Sequence, residues 1–246
     1  IEEALKVNWL RYHITLCNGA LELCVVKVRE GAQVLGKKFL SGFFGHGLYR
    51  VVAIKRGQDT IIPRGNDEIM VGDMVYAVCT RENMKVLREH TGKQKREIKN
   101  IIVYGASRIA QKAVQELPEG MSIKILEANR DLCYHISDKV NNALIINADG
   151  SDMNSLQEEG IQDADAFIAV TDRSEANIFA CLAAKRFGVK KTIAEVENID
   201  YIPMAEALDI GTVLNKKTIT AAYIYQMLLD ASVLNVRNLT SADAEI

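Results

Sequence analysis

The residues best placed to do chemistry in this chain stand at the end of an apolar, β-branched run. Ile101-Ile102-Val103-Tyr104 stops at Gly105, and Ala106-Ser107-Arg108-Ile109-Ala110 opens a helix-compatible segment. This is the strand–turn–helix opening of a dinucleotide-binding unit, G-x-G-x-x-G/A. The first glycine makes the tight turn, the second lets a pyrophosphate approach the backbone, and the third small residue packs helix on strand. Gly105 fills the first place and Ala110 the third, while Ser107 occupies the second. Gly105, Ala106, Ser107, Arg108 and Ile109 therefore form the candidate cofactor-binding turn, which either holds a ligand or only shapes the fold.

Glu127 closes the next apolar run, Ser122 to Leu126. A carboxylate at that place accepts hydrogen bonds from an adenosine ribose and repels a 2′-phosphate, which favours NAD-type or simple adenine nucleotides over NADP. The plainer reading is a solvent-facing glutamate at a strand end. Asp149 and Thr171 follow the third and fourth apolar runs, Ala143 to Ile146 and Ala166 to Val170.

These residues need a scaffold. Helical spacing marks Ile109 to Leu117, Asp131 to Val140, Ser155 to Glu159, Thr171 through Lys185, and Tyr201 to Leu208, with a further strand over Thr192 to Val196. Strands alternating with helices predict βαβ crossovers, hence an α/β fold with a Rossmann-like, doubly wound parallel sheet. Ligands in such a sheet sit beyond the carboxyl ends of the strands, so Gly105, Glu127, Asp149 and Thr171 are expected to line one edge.

A small α+β module precedes it, over residues 19–92. Leu21 to Val28, Tyr49 to Ile54, Thr60 to Ile62 and Met74 to Cys79 read as strands, and Arg81 to His90 as a short helix. Arg56-Gly57-Gln58-Asp59 is a hairpin signal. Phe43, Phe44 and Tyr49 serve either the core or a self-association surface, and His46, between Gly45 and Gly47, has no chemical neighbour. Thr91 to Lys99, with Lys93, Lys95 and Arg96, reads as a solvated linker and not as a binding patch. Ile1 to His13 has helical spacing, so residues 1–18 are expected to end a preceding domain. With Ile1 first and no methionine, the chain reads as an excerpt, expected to come from a longer protein.

A net charge of −2, from 30 basic and 32 acidic side chains, gives no global pull toward nucleic acid or an anionic membrane. No apolar run approaches the about 20 residues of a membrane span. The five cysteines, Cys17, Cys24, Cys79, Cys133 and Cys181, are scattered and never spaced as C-x-x-C, which fits reduced thiols better than a disulfide framework or a zinc site. The histidines show no metal-ligand spacing. Neither a nucleophile–base pair nor a pair of carboxylates at a cleft is visible, so no catalysis is expected.

Several segments, in one order, resemble the TrkA-type nucleotide-binding domain of the tandem RCK/KTN family. Asn147-Ala148-Asp149-Gly150-Ser151-Asp152, then Leu156 and Gly160-Ile161-Gln162-Asp163-Ala164-Asp165, is similar to its G-D-A-T-D…L…A-G-I-x-x-A-D pattern. Ile168-Ala169-Val170-Thr171 with Glu175-Ala176-Asn177 resembles I-A-V-T-x-x-D-E-x-N, and Ala183-Ala184-Lys185 its A-K. The small module is similar to the family's C-terminal module through Gly36-Lys37, Ile54-Lys55-Arg56-Gly57, Ile62-Pro63 and Gly72-Asp73. The resemblance covers nearly the whole chain. It implies a first C-module, a second nucleotide-binding-like module over 98–215, and a connecting helix with the start of a further module over 216–246. Within that last stretch, Thr218 to Leu229 would be the helix and Leu234 to Ile246 the module.

The resemblance further implies a non-catalytic, cytoplasmic gating subunit of a potassium-uptake channel or transporter. It would sense NAD(H) or an adenine nucleotide, act as a homo-oligomer, and reach the inner face of the membrane through its partner without inserting. Glu175 joins the cofactor-binding candidates on this ground. Ser107 for the second glycine, Ala148 before Asp149, Ser174 before Glu175 and Glu195 in a place where the family often has arginine are departures expected to weaken pyrophosphate binding. The competing readings are an NAD-dependent oxidoreductase and a structural or assembly half that no longer binds nucleotide.

Overall fold

The computed structural model describes residues 1–44 and 46–228. The chain divides into two compact units. One joins Ile1–Lys6 to Glu97–Thr218; the other comprises Val7–Arg96 and the continuation from Ile219.

The short helix α1 (Glu2–Lys6) belongs to the first of these units, where Leu5 is buried in the core. Helical spacing does not carry through to His13. Tyr-His-Ile-Thr-Leu is β-branched and aromatic, and it forms a strand, β1 (Tyr12–Leu16), that pairs antiparallel with β2 (Leu21–Lys27). Residues 12–16 are thus the edge of the small sheet, where the sequence suggested the end of a preceding domain. β3 (Tyr49–Arg56) and β4 (Asp59–Ile61) form a hairpin in which Arg56 faces Asp59 across a two-residue loop. Gly57 opens that loop at φ +62°, a conformation costly to any residue with a side chain. With β5 (Met74–Cys79) the order becomes β1-β2-β5-β3-β4, antiparallel throughout, and α2 (Met84–His90) closes the unit. Gly36 to Leu40 forms turns with isolated bridges, Leu35 to Ile69 and Lys38 to Glu68. Phe43, Phe44 and Tyr49 pack against the core formed by Val26, Ile54, Ile69 and Leu87. Arg56 clasps the buried Asp73 through two bonds of 2.9 and 2.8 Å, tying the hairpin to the start of β5.

The larger unit alternates strand and helix. β6 (Asn100–Tyr104), α3 (Arg108–Glu116), β7 (Ser122–Leu126), α4 (Arg130–Ser137), β8 (Leu144–Ile146) and α5 (Met153–Glu158) make its first half. β9 (Ala166–Ala169), α6 (Ser174–Arg186), β10 (Lys191–Glu195), α7 (Ile202–Ala207), β11 (Thr212–Leu214) and the start of α8 (Lys216–Leu228) make its second. The six strands are parallel, in the order β11-β10-β9-β6-β7-β8. This is the 3-2-1-4-5-6 order of a doubly wound sheet, reversing between β6 and β9. Alternate residues of β6 serve opposite faces. Ile101 and Val103 join Ala110, Val114 and Ile136 beneath α3 and α4, while Ile102 and Tyr104 join Leu156, Ile178, Cys181 and Ala205 beneath α5, α6 and α7. Burial on both faces explains the unbroken apolar runs, each fully buried Ile or Val contributing roughly 1.5–3 kcal/mol.

β11 has no counterpart in the sequence reading; its three residues are too few to show a period. The region Leu234 to Ile246 lies outside the described residues. Among the described residues no helix is long and apolar enough to cross a membrane.

Candidate functional site

The carboxyl ends of the parallel strands are in register. Tyr104 stands beside Leu126 and Ala169, and Leu126 beside Ile146. The ladder runs past the strand ends, since Gly105 N donates to Leu126 O (2.9 Å), Glu127 N to Ile146 O (3.0 Å) and Val170 N to Tyr104 O (2.9 Å). Gly105, Glu127, Asp149 and Thr171 consequently follow neighbouring strands along one edge of the sheet.

Gly105 sits at the reversal of strand order with φ +101°. A Cβ built on it would lie 2.9 Å from Cγ2 and 3.0 Å from N of Thr171. Glycine is therefore required twice over, by the backbone conformation and by the close approach of the strand across the switch point. Ser107 is the N-cap of α3, its Oγ accepting from Ala110 N at 3.2 Å. The side chain that breaks the glycine pattern thus satisfies one of the helix's own amides. Arg108 is exposed at the first turn. Ile109 is half-buried and packs against the core beneath α3.

Glu127 turns inward. Its Oε2 accepts from Ala106 N at 2.8 Å and its Oε1 from Asn129 N at 2.8 Å, so the strand-end carboxylate braces the β6–α3 turn. Asn129 caps α4, and Asn147 donates to the carbonyls of Glu127 and Ala128 at 2.9 and 2.8 Å, holding the neighbouring loops together. Asp149 accepts from Ser151 N (2.8 Å) and Oγ (2.7 Å), and from the Tyr104 hydroxyl at 3.4 Å. Burial holds that hydroxyl above its ordinary pKa. Glu175, in the first turn of α6, bonds the Tyr201 hydroxyl and raises its pKa. Gly105, Ala106, Ser107, Glu127 and Thr171 are thus linked by direct contacts or adjoining chain. Asp149 joins them through Tyr104, and Glu175 is engaged elsewhere.

Asn177, Asn215 and Lys216 escaped the candidate set. Asn177 is fully buried and bonds both Thr171 and the Glu195 carbonyl, while Lys216 lies 2.8 Å from Glu195 Oε1. The departure of Glu195 from a cationic residue is therefore offset within the chain. One sequence signal existed, since Lys216-Lys217 opening a helix runs against its dipole and calls for acidic neighbours. Among the described residues no group of His, Cys, Asp or Glu is placed to hold a metal ion. In the smaller unit a cavity of about 610 Å³ opens among Phe39, Phe44, Tyr49, Arg50, Arg64 and Asn83.

Comparison with known proteins matches residues 101–216 to the TrkA-N domain and residues 24–92 to the TrkA-C domain. The Trk system potassium uptake protein TrkA of Halomonas elongata is 26% identical over 229 residues, covering 92% of this chain and 50% of that protein. The TrkA homolog 2 of Methanosarcina mazei is 31% identical over 230 residues, covering 93% and 51%. The chain spans about half the length of these curated relatives. Among solved structures, the GsuK RCK domain aligns with TM-score 0.60 and 17% identity over 92% of this chain and 50% of its own. The GsuK channel bound to NAD aligns with 0.59 and 16% over 92% and 42%. At such identities they speak for the fold. With a TrkA-C module, a TrkA-N module at the Rossmann-like sheet, and relatives matching along nearly its whole length, this chain belongs to the TrkA family.

Proposed function

We propose that this chain is part of a cytoplasmic regulatory subunit of a potassium-transport system, one that binds NAD(H) or an adenine nucleotide at the edge of its parallel sheet. The carrying observation is Gly105, pressed against Thr171 at the switch point of the parallel sheet, directly before the start of α3. The amides of Ser107, Arg108 and Ile109 open α3 beside that turn, where a helix start favours phosphate. Glu127 would exchange the Ala106 amide for a ribose hydroxyl and would disfavour a 2′-phosphate. Lys216 beside Glu195 removes the main electrostatic objection to a pyrophosphate at this edge. The TrkA proteins that the chain matches take part in potassium uptake, and a GsuK channel of this fold binds NAD, which supports the same reading.

The subunit performs no covalent chemistry on its ligand. It works as a homo-oligomer against a membrane potassium channel or transporter, and the ligand acts by preferring one conformation of the assembly. The test is calorimetric titration with NADH, NAD, ADP and ATP. Micromolar binding by the wild type, weakened about tenfold or more in Glu127→Ala, is expected, and tenfold corresponds to about 1.4 kcal/mol. Absence of binding by any of the four would leave the second reading, an assembly half without a nucleotide. That reading is favoured by one observation: both Glu127 oxygens already have amide partners within the chain.

A further inference from the structure

Three residues just past the crevice, Glu195, Val196 and Glu197, are held from two sides by the starts of two helices. From the α6 side, Asn177 Nδ2 donates to Glu195 O at 2.9 Å, and Ser174 Oγ accepts from Glu197 N at 2.9 Å. From the α8 side, Asn215 Nδ2 donates to Val196 O at 2.6 Å and to Glu197 O at 3.1 Å. Lys216 Nζ lies 2.8 Å from Glu195 Oε1 and also pairs with Glu197. Val196 N donates to Leu214 O at 2.8 Å, completing the tie to the strand before α8.

The two sides are held differently. Asn177 is fully buried and has every hydrogen-bonding position filled. Its Oδ1 accepts from Thr171 N and Oγ1, and its Nδ2 donates to Thr171 O and Glu195 O. A displacement of Thr171 therefore strains the bonds at both ends of the Asn177 amide. The α8 side depends on paired charges. Its first turn carries Lys216 and Lys217 and no acidic residue, against the helix dipole. The compensating negative charge comes from Glu195 and Glu197, and they hold the Lys216 ammonium above its ordinary pKa. Asn215 caps the same turn, its Oδ1 accepting from Thr218 N at 2.8 Å, with the very side chain that grips Val196 and Glu197.

We propose that Glu195-Val196-Glu197 is a coupling segment through which occupancy of the crevice acts on the first turn of α8, with Asn177 and Lys216 as positioning residues on its two sides. This rests on the nucleotide reading of the crevice. A ligand that presses on Gly105 and Thr171 moves the Asn177 bracket, the segment follows, and the Lys216 contacts with Glu195 and Glu197 lengthen or tighten.

The test is hydrogen exchange of the peptide spanning Asn215 to Ile219 in the full chain, with and without NADH or ADP, alongside calorimetry on the same samples. In the wild type, ligand is expected to change the exchange rate in this peptide about threefold or more. Measured at ligand concentrations that saturate each variant, Lys216→Gln should lose the exchange response, and Lys216→Arg should keep it. Because a lone buried Glu195 could itself unfold the region, the double variant Glu195→Gln with Lys216→Gln is measured too, and should fold and lack the response. Ligand binding without an exchange change in the wild type, or a response retained in either Lys216→Gln background, overturns the coupling alone. No binding of either nucleotide overturns the nucleotide reading, and the coupling falls with it.

Discussion

Asn177 wraps the end of β9. Its Oδ1 accepts from both the amide (3.1 Å) and the hydroxyl (2.7 Å) of Thr171, and its Nδ2 returns a bond to the Thr171 carbonyl at 3.0 Å. The same Nδ2 reaches the Glu195 carbonyl, so one buried side chain locks two strand ends that belong to the crevice. Asn177→Ala removes the partner of the buried Glu195 carbonyl and of the half-buried Thr171 groups. It is expected to destabilise the larger unit by about 2–4 kcal/mol, given about 1–3 kcal/mol for each buried group left unpaired. Urea denaturation followed on that unit measures it. A loss within about 0.5 kcal/mol, the range of ordinary surface changes, would show that the bracket is not a structural necessity.

Gly105→Ala combines a positive φ with a methyl group placed 2.9 Å from Thr171 Cγ2 and 3.0 Å from its amide. Backbone strain of roughly 1–3 kcal/mol and overpacking of similar size predict a loss of about 2–6 kcal/mol in all. Gly120→Ala is the control, since its φ is also positive (+91°) but nothing lies within 4 Å of the new methyl. It should lose only the backbone share. Equal losses in the two variants would remove the close approach of Thr171 from the explanation.

The thiols should separate cleanly by reactivity. Cys17 is exposed, while Cys24, Cys79, Cys133 and Cys181 are buried. Burial pushes the Cys181 thiol up to about 12, which leaves it protonated and inert near neutral pH. Titration of the native protein with Ellman's reagent at pH 8 is expected to show one fast thiol, lost in Cys17→Ser. All five of the sequence should react after denaturation. Two or more fast thiols in the native protein would contradict the packing of the sheets.

A pH effect belongs to the smaller unit. The His90 ring packs against Phe43, and its Nδ1 lies 2.9 Å from the Tyr49 hydroxyl. Burial lowers the His90 pKa below the ordinary 6.5, with Glu89 opposing and His46 adding to the shift. The folded state therefore binds this proton more weakly than the unfolded chain. The stabilising contribution is complete above pH 6.5 and is lost as the pH falls through that value toward the lowered folded pKa. Melting curves of the unit between pH 7.5 and 5 are expected to show this slope, with His90→Gln flattening it. A wild-type slope of the opposite sign would refute the half-buried, neutral imidazole.

Much of the larger unit was legible locally. The apolar run ending at Gly105, the small residue at Ala110 and the strand–helix alternation each depend on residues close in sequence, so period and turn chemistry expose them. The same holds for the hairpin at Gly57, whose conformational demand lies in one residue. Ile1 to His13 misled because its helical spacing stops at Lys6, and Tyr12 to Leu16 are fixed by pairing with Leu21 to Val25 across a tight turn.

Sequence alone determined the parallel sheet, its turn at Gly105 and the family resemblance, because these rest on periodicity and on the torsional freedom of single residues. Tertiary structure decided what the side chains at the edge do. It made Ser107 a helix cap, turned both Glu127 oxygens onto backbone amides, set Lys216 against Glu195, and gave Asn177 its bracket across two strands. The physical reason is distance along the chain. A buried polar group must find its partner wherever the fold delivers one, and no local pattern records which strand end will arrive beside it.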